Sequence, residues 1–145
     1  MDEPKRIFID TSAWIDFTLA NETFHKPIFD YLIAEVKKGS KFFTSDYVLD
    51  ETFTRLLTGQ SFKSAKIFRD KIKALVKERQ LLILWTEEVR FDKSWALFEK
   101  FKEHLLSFTD ATVVSYMRDL KIDEILTLDK GFRKVGLTTK PALRV

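Results

Sequence analysis

The sequence predicts an α/β domain with a central, mostly parallel β-sheet flanked by helices, and three observations carry that expectation. Short apolar runs alternate with longer stretches of helical periodicity, the order produced by parallel strands joined through crossover helices. Two of those runs, RIFI and ILTL, end directly in an aspartate, Asp10 and Asp129. Of 145 residues, 45% are hydrophobic and 14% aromatic, against only four Gly and three Pro, a balance that favours a packed core over disorder. This length suits one domain over residues 1–145. It buries roughly two thirds of the unfolded surface without needing disulfides or a structural metal.

Ile7 to Ile9 form the first apolar run, closed by Asp10. Residues 11–19 read as a short helix, because Thr11 and Ser12 are types that satisfy free backbone N–H groups at a helix start. Over 26–38, Ile28, Phe29, Leu32, Ile33 and Val36 share one helical face, and Gly39 supplies the stop. Lys41 to Thr44 make a brief strand, followed by a helix over 46–57 whose buried stripe is Leu49, Phe53, Leu56 and Leu57. After the break at Gly59 another helix spans 61–78. LLILW at 81–85 is continuously apolar, as expected of a strand covered on both faces. Phe91, Trp95, Phe98 and Leu105 mark a long helix, with 91, 95 and 98 at core spacing rather than arranged as a base-stacking platform. A helix over 110–120, a strand from Ile125 to Leu128 and a turn region from Lys130 to Val135 complete the chain. There is no internal repeat, low-complexity tract or linker that would mark a boundary.

Absences narrow the chemistry. With no cysteine, thiol catalysis, disulfides and thiolate metal sites are excluded, a pattern that fits an intracellular protein. His25 and His104 each lack a second histidine nearby, so paired-imidazole zinc motifs are excluded too. The glycines at 39, 59, 131 and 136 compose neither a dinucleotide fingerprint nor a phosphate-binding loop. The start, MDEPKRIFID, has no signal-peptide apolar core, and no run approaches the ~20 residues of a membrane span, so a cytoplasmic protein without a membrane partner is expected. The net charge is +3 and the pI about 9.0, which permits a polyanionic partner without demanding one.

Carboxylates are what remain. In an open parallel sheet, ligands bind beyond the carboxyl ends of the strands. Asp10 and Asp129 would emerge on one rim if their strands are neighbours, although each also suits a plain helix cap. Asp110 lies along the inward stripe of Val113, Val114 and Met117, where a carboxylate is costly unless something receives it; capping accounts for it equally well. Glu51 points nearly opposite the buried stripe of its helix, where it either pairs in solvent with Arg55 or faces a cleft beside the sheet rim, while Asp50 lies on the flank.

Taken together, TSAW after Asp10, SDYVLDETFTRLL, SFTDATVVSYM and ILTLDKGF resemble the four acidic motifs of PIN-domain ribonucleases, specifically VapC-type toxins of toxin–antitoxin pairs, over about residues 6–140. Carried over position by position, the resemblance implies that the four acids of the family are Asp10, Glu51, Asp110 and Asp129, and so selects Glu51 over Asp50. It implies a ribonuclease acting on RNA, a cognate antitoxin that lays a segment across the early helices, and a homodimer.

Converging carboxylates repel by up to roughly 4 kcal/mol per close pair at an effective dielectric near 20. Oxygen-only donors select a hard cation, so Mg²⁺ or Mn²⁺ is the expected cofactor, able to activate water and stabilise the leaving oxygen of a phosphodiester. Thr11, Ser12 and Thr109 are candidates to hold a water or a phosphate oxygen, with capping as the plainer role of each. Lys130, Arg133 and Lys134 follow Asp129 closely enough to contact an RNA backbone, and Arg55 and Arg118 are further candidates; ordinary solvated charge is the alternative for all of them. Three other functions compete. A housekeeping RNA-processing nuclease would share the same acids. A non-catalytic interaction domain would use them only as caps. A receiver-type phosphoryl-transfer domain would need an aspartate after a central strand, where LLILW is followed by Thr86.

Overall fold

A computed structural model of the chain describes residues 3–142. Five strands, β1 (Arg6–Ile9), β2 (Lys41–Ser45), β3 (Leu81–Leu84), β4 (Glu124–Leu126) and β5 (Thr139–Lys140), form one sheet in the order β3-β2-β1-β4-β5. Every neighbouring pair is parallel, so the sheet is wholly rather than mostly parallel. Six α-helices connect them: α1 (Thr11–Thr18), α2 (His25–Lys38), α3 (Asp46–Gly59), α4 (Phe62–Lys77), α5 (Glu88–Lys100) and α6 (Phe108–Asp119). Short 3₁₀ turns follow at Lys102–His104 and Lys130–Val135. Among the described residues, no helix is long and apolar enough to cross a membrane.

The order places β1 between β2 and β4, so the chain leaves β1 toward one side of the sheet and returns on the other. That reversal opens a crevice at the carboxyl ends of β1 and β4, where such sheets bind ligands. Register aligns Ile9 with Leu126, and the Asp10 amide extends the ladder by donating to the Leu126 carbonyl at 3.0 Å. Asp10 therefore leaves the sheet as the last ladder residue of a buried strand.

Aromatic packing anchors α1 on the sheet. Trp14 is wholly buried, edge-on to Phe17 and Phe68, and Phe68 is in turn edge-on to Phe53. The Trp14 Nε1–H donates to Thr44 Oγ1 at 3.1 Å, and Thr44 donates to the Ile9 carbonyl at 3.0 Å. One indole thus links the helix after β1 to both β1 and β2 and satisfies its own N–H. At the far end of the sheet two further acids are buried: Glu124 pairs with Lys5 and accepts from Tyr31, and Glu35 pairs with Lys38 and accepts from Ser40. Gly39 ends α2 at φ 83°, the left-handed position that a glycine occupies without strain.

Several expectations need correction. LLILW is not covered on both faces: β3 is an edge strand, and Leu82 and Trp85 are 57% and 67% exposed. Phe91 and Trp95 are not core residues either; both are exposed on α5, and only Phe98 is half-buried. Leu57 lies outside, while Val48, Leu49, Thr52 and Leu56 form the buried face of α3. On α2 only Ile28 of the expected stripe is buried; Leu32 is half-buried, and Phe29, Ile33 and Val36 stay exposed. The helix through Leu105 stops at Lys100, and β5, two residues long, carried no sequence signal.

Phe68→Ala removes the ring on which both Trp14 and Phe53 rest. It is expected to cost roughly 3–5 kcal/mol of folding stability, read by chemical denaturation. A loss below about 1 kcal/mol would show that the aromatic cluster is not what seats α1.

Candidate active site

Asp10 is buried at the carboxyl end of β1, and although it occupies the position preceding α1, its side chain makes no capping hydrogen bond to that helix. Its Oδ2 instead accepts from Thr127 Oγ1 at 2.9 Å. Thr127 also accepts the Asp129 amide at 3.0 Å and lies 3.2 Å from Ser12 Oγ, which itself accepts the Leu128 amide at 2.8 Å. Two hydroxyls therefore stitch the end of β4 to the start of α1, on either side of Asp10.

Asp129 does act as a cap: Oδ1 accepts from the Gly131 amide at 2.8 Å, opening the 3₁₀ turn. A Cβ at position 131 would stand 3.1 Å from that oxygen, so only glycine leaves the Asp129 carboxylate uncrowded there. Asp110 sits in the first turn of α6, where the capping residue is Ser107, accepting the Asp110 amide at 3.0 Å. Glu51 is half-buried on α3 and receives Thr11 Oγ1 at 3.4 Å, a proton shared with the Val48 carbonyl at 3.3 Å. No ion pair joins Glu51 to Arg55 among the described residues, and Asp50 is exposed.

These four carboxylates feel one another. Burial first, and then the charges of Asp110 and Glu51, raise Asp10 from 3.8 to about 7, against hydrogen bonds from Thr11 and Thr127 that pull the other way. Burial, Asp129 and Glu51 raise Asp110 from 3.8 to about 6, opposed by Ser107. No Lys or Arg forms a salt bridge with any of the four among the described residues. The cluster is therefore an uncompensated concentration of negative charge, graded from buried Asp10 to exposed Asp129. No set of three or more acidic or imidazole groups closes into a ready-made ion cage among the described residues. The donors nonetheless fit a hard divalent ion, since all are oxygens, and Mg²⁺ characteristically takes one or two carboxylates and keeps several waters.

The remaining candidates divide. Thr11 and Ser12 hold Glu51 and the Thr127–Leu128 segment. Thr109 offers only its carbonyl, to Thr112, and its hydroxyl makes no hydrogen bond to the four acids among the described residues. Lys130 and Lys134 are exposed on the turn after Asp129, and Arg133 is braced through Nε to Thr139 Oγ1 at 2.8 Å. Arg55 and Arg118 are exposed, the latter with its guanidinium over Phe101. Sequence reasoning missed Thr127, Gly131 and Ser107. The available signal was their spacing from the acids, two residues before and after Asp129 and three before Asp110. A concavity of about 640 Å³ lies away from these acids: Arg6, Gly39 and Lys41 line it at the amino end of the sheet.

A raised aspartate has a definite consequence for stability. Between about pH 4 and 7 Asp10 keeps its proton in the folded chain and loses it in the unfolded one, so stability falls as pH rises through that window and stays low above it. A rise from 3.8 to about 7 corresponds to roughly 4 kcal/mol. Asp10→Asn is accordingly expected to melt several degrees above the native chain at pH 8 in EDTA, with the gain fading by pH 4.5. Equal melting temperatures at pH 8 would refute the buried-charge account.

Comparison with known proteins identifies the fold and the family. The family model of the PIN domain matches residues 7–137. No curated protein sequence matches the chain. Among solved structures, Mycobacterium tuberculosis VapC20, a toxin that cleaves the sarcin–ricin loop, superposes with a TM-score of 0.77 at 23% identity, over 91% of this chain and 96% of that one. VapBC2 from Rickettsia felis, bound to a DNA fragment from its promoter, gives 0.69 at 13% identity over 92% and 96%. PAE2754 from Pyrobaculum aerophilum gives 0.63 at 15% over 93% and 89%. At these identities the superpositions speak to the fold alone. The family match covers most of the chain, from β1 through the turn after Asp129, and the chain belongs to the PIN-domain family of nucleases.

Proposed function

We propose that this chain is a metal-dependent endoribonuclease that hydrolyses RNA phosphodiester bonds, acting in the cytoplasm as the toxin of a VapBC-type toxin–antitoxin pair. The observation that carries the reading is the set of four carboxylates, drawn from the ends of β1 and β4 and from α3 and α6, within electrostatic reach of one another and without a cationic partner. Such a cluster destabilises the fold that holds it, and a function that needs a dication explains its presence.

Asp10, Glu51, Asp110 and Asp129 would hold Mg²⁺ or Mn²⁺. When bound, the ion supplies positive charge for the phosphoryl oxygens and makes water a stronger acid. The chain's own groups do the rest. Thr127 fixes one Asp10 oxygen, and Thr11 orients Glu51. Asp110, raised to about 6 in the metal-free chain by burial, Asp129 and Glu51, is a group whose charge a bound dication would stabilise. Exposed Lys130 and braced Arg133 stand where they meet a polyanionic backbone as it reaches Asp129.

The antitoxin and the second copy of the chain have surfaces to match. Phe29, Ile33 and Val36 on α2 border an apolar cavity of about 200 Å³ that reaches Leu75 of α4, a seat for an antitoxin segment. Exposed Phe91 and Trp95 on α5 suit a homodimer contact. VapBC2 and FitAB, both structural neighbours, were solved bound to DNA fragments.

Asp10→Asn and Asp110→Asn keep side-chain shape and remove charge. Each is expected to lower Mg²⁺-dependent RNA cleavage by roughly 10²-fold or more, since several kcal/mol of charge stabilisation is lost. Undiminished cleavage by either purified variant overturns the assignment. Mn²⁺ is also expected to raise the melting temperature of the native chain, more at pH 8 than at pH 5.5, because protons compete for Asp10 and Asp110. An Asp10→Asn chain showing the same rise would place the ion elsewhere.

A further inference from the structure

Glu51 and Asp110 stand on different helices that share little surface: α6 packs chiefly on α5 and meets α3 mainly where Phe108 lies against Tyr47, ring centroids 6.2 Å apart. Beside that one ring contact, a hydrogen-bonded bridge also spans the two helices. Asp46, the first residue of α3, accepts the Thr86 amide on Oδ2 at 2.8 Å and the Thr86 hydroxyl on Oδ1 at 2.7 Å. Thr86, in the loop after β3, lies 2.9 Å from the hydroxyl of Tyr116, which is buried on α6. Because the single Thr86 hydroxyl proton goes to Asp46, the Tyr116 hydroxyl must be the donor in that contact. The bridge therefore has a fixed direction, Tyr116 to Thr86 to Asp46.

Both ends of the bridge are rigidly tied to the acids. Glu51 is five residues beyond Asp46, about 7.5 Å along α3, and Asp110 is six residues before Tyr116, about 9 Å along α6. Tyr116 cannot swing away, since the Arg90 guanidinium lies 4.7 Å over its ring while Nη1 donates to the Ser115 carbonyl and hydroxyl and pairs with Asp119. Burial holds the phenol above its ordinary value, so it remains a protonated donor. An ionic group here gains little as packing, since an apolar contact would stabilise as well. What a satisfied polar chain adds is a single distance.

We propose that Asp46, Thr86 and Tyr116 are positioning residues of the acidic site: their hydrogen-bonded bridge fixes α3 against α6 and so sets the Glu51–Asp110 separation on which divalent-ion binding depends. This rests on the nuclease reading above. The test is Mn²⁺ titration of the full chain, followed by the electron paramagnetic resonance of free Mn²⁺ at a temperature where circular dichroism shows every variant folded. Tyr116→Phe and Thr86→Val are expected to weaken Mn²⁺ binding by about 10-fold or more, the usual consequence of losing a group that orients a ligand, while Thr86→Ser restores it. Tyr116→Phe removes one oxygen, so it keeps the test open should Thr86→Val fail to fold. If the folded Tyr116→Phe chain binds Mn²⁺ as tightly as the native one, the bridge is merely structural and the proposal is overturned. A native chain that binds no Mn²⁺, or an Asp10→Asn chain that binds it equally well, instead removes the site reading and the positioning role with it.

Discussion

The whole molecule is organised around the cost of keeping Asp10 out of water beside other acids. A buried carboxylate without a cation is among the least tolerable groups in a protein interior, and it stays in place only where the backbone holding it cannot yield. Here that backbone is the last ladder residue of β1, a strand whose three preceding residues are wholly or almost wholly buried. The aromatic cluster of Trp14, Phe17, Phe68 and Phe53 presses α1 onto the same strand from one side, and Thr127 grips the carboxylate from the other. The apolar core is therefore part of the site's construction, since its burial energy offsets the repulsion gathered at the rim.

Which parts of this were legible in the sequence follows from what each pattern measures. Asp10 and Asp129 could be read because an apolar run ending in an acid states both a strand and its carboxyl end. Asp110 was half legible: its helix is buried along Val113, Val114 and Met117, so a charge in line with them is conspicuous, yet a first-turn acid reads equally well as a cap. Glu51 could not be read from its helical wheel. The wheel finds the side of α3 that meets the core, and Glu51 is off that side, half-buried against Thr11 at the start of α1; only the resemblance of the motif selected it. Thr127 was hidden by its type, for threonine is at home in any strand and its hydroxyl advertises no partner.

The misreadings share one cause. Periodicity reports that side chains are apolar, not what covers them. LLILW looks the same whether another strand lies beside it or solvent does, and here β3 ends the sheet. Phe91, Trp95 and Phe98 repeat at the interval of a core helix, yet two of them are exposed because α5 turns other residues toward α6. The stripe on α2 is similarly uncovered. These surplus apolar faces lie where the proposed partners would sit, so a pattern misread as core in the lone chain is one that an assembly would bury.

The chain buries acids at both ends of its sheet and treats them in opposite ways. At the amino end, Glu124 has Lys5 and Tyr31, and Glu35 has Lys38 and Ser40, so each carboxylate is matched by a cation and a hydroxyl. At the carboxyl end, Asp10 has one hydroxyl, from Thr127, and the Thr11 amide but no cation, and the charges acting on it are those of other acids. Composition does not force this difference, because 25 basic residues were available to neutralise 22 acidic ones. Lys130 and Arg133 even follow Asp129 directly, yet neither turns in to pair with it. The acids at one pole are paired and those at the other are not, which is the charge arrangement that the proposed dication would complete. That selective omission, more than the mere count of carboxylates, is what favours the proposed ion-binding rim over a set of helix caps.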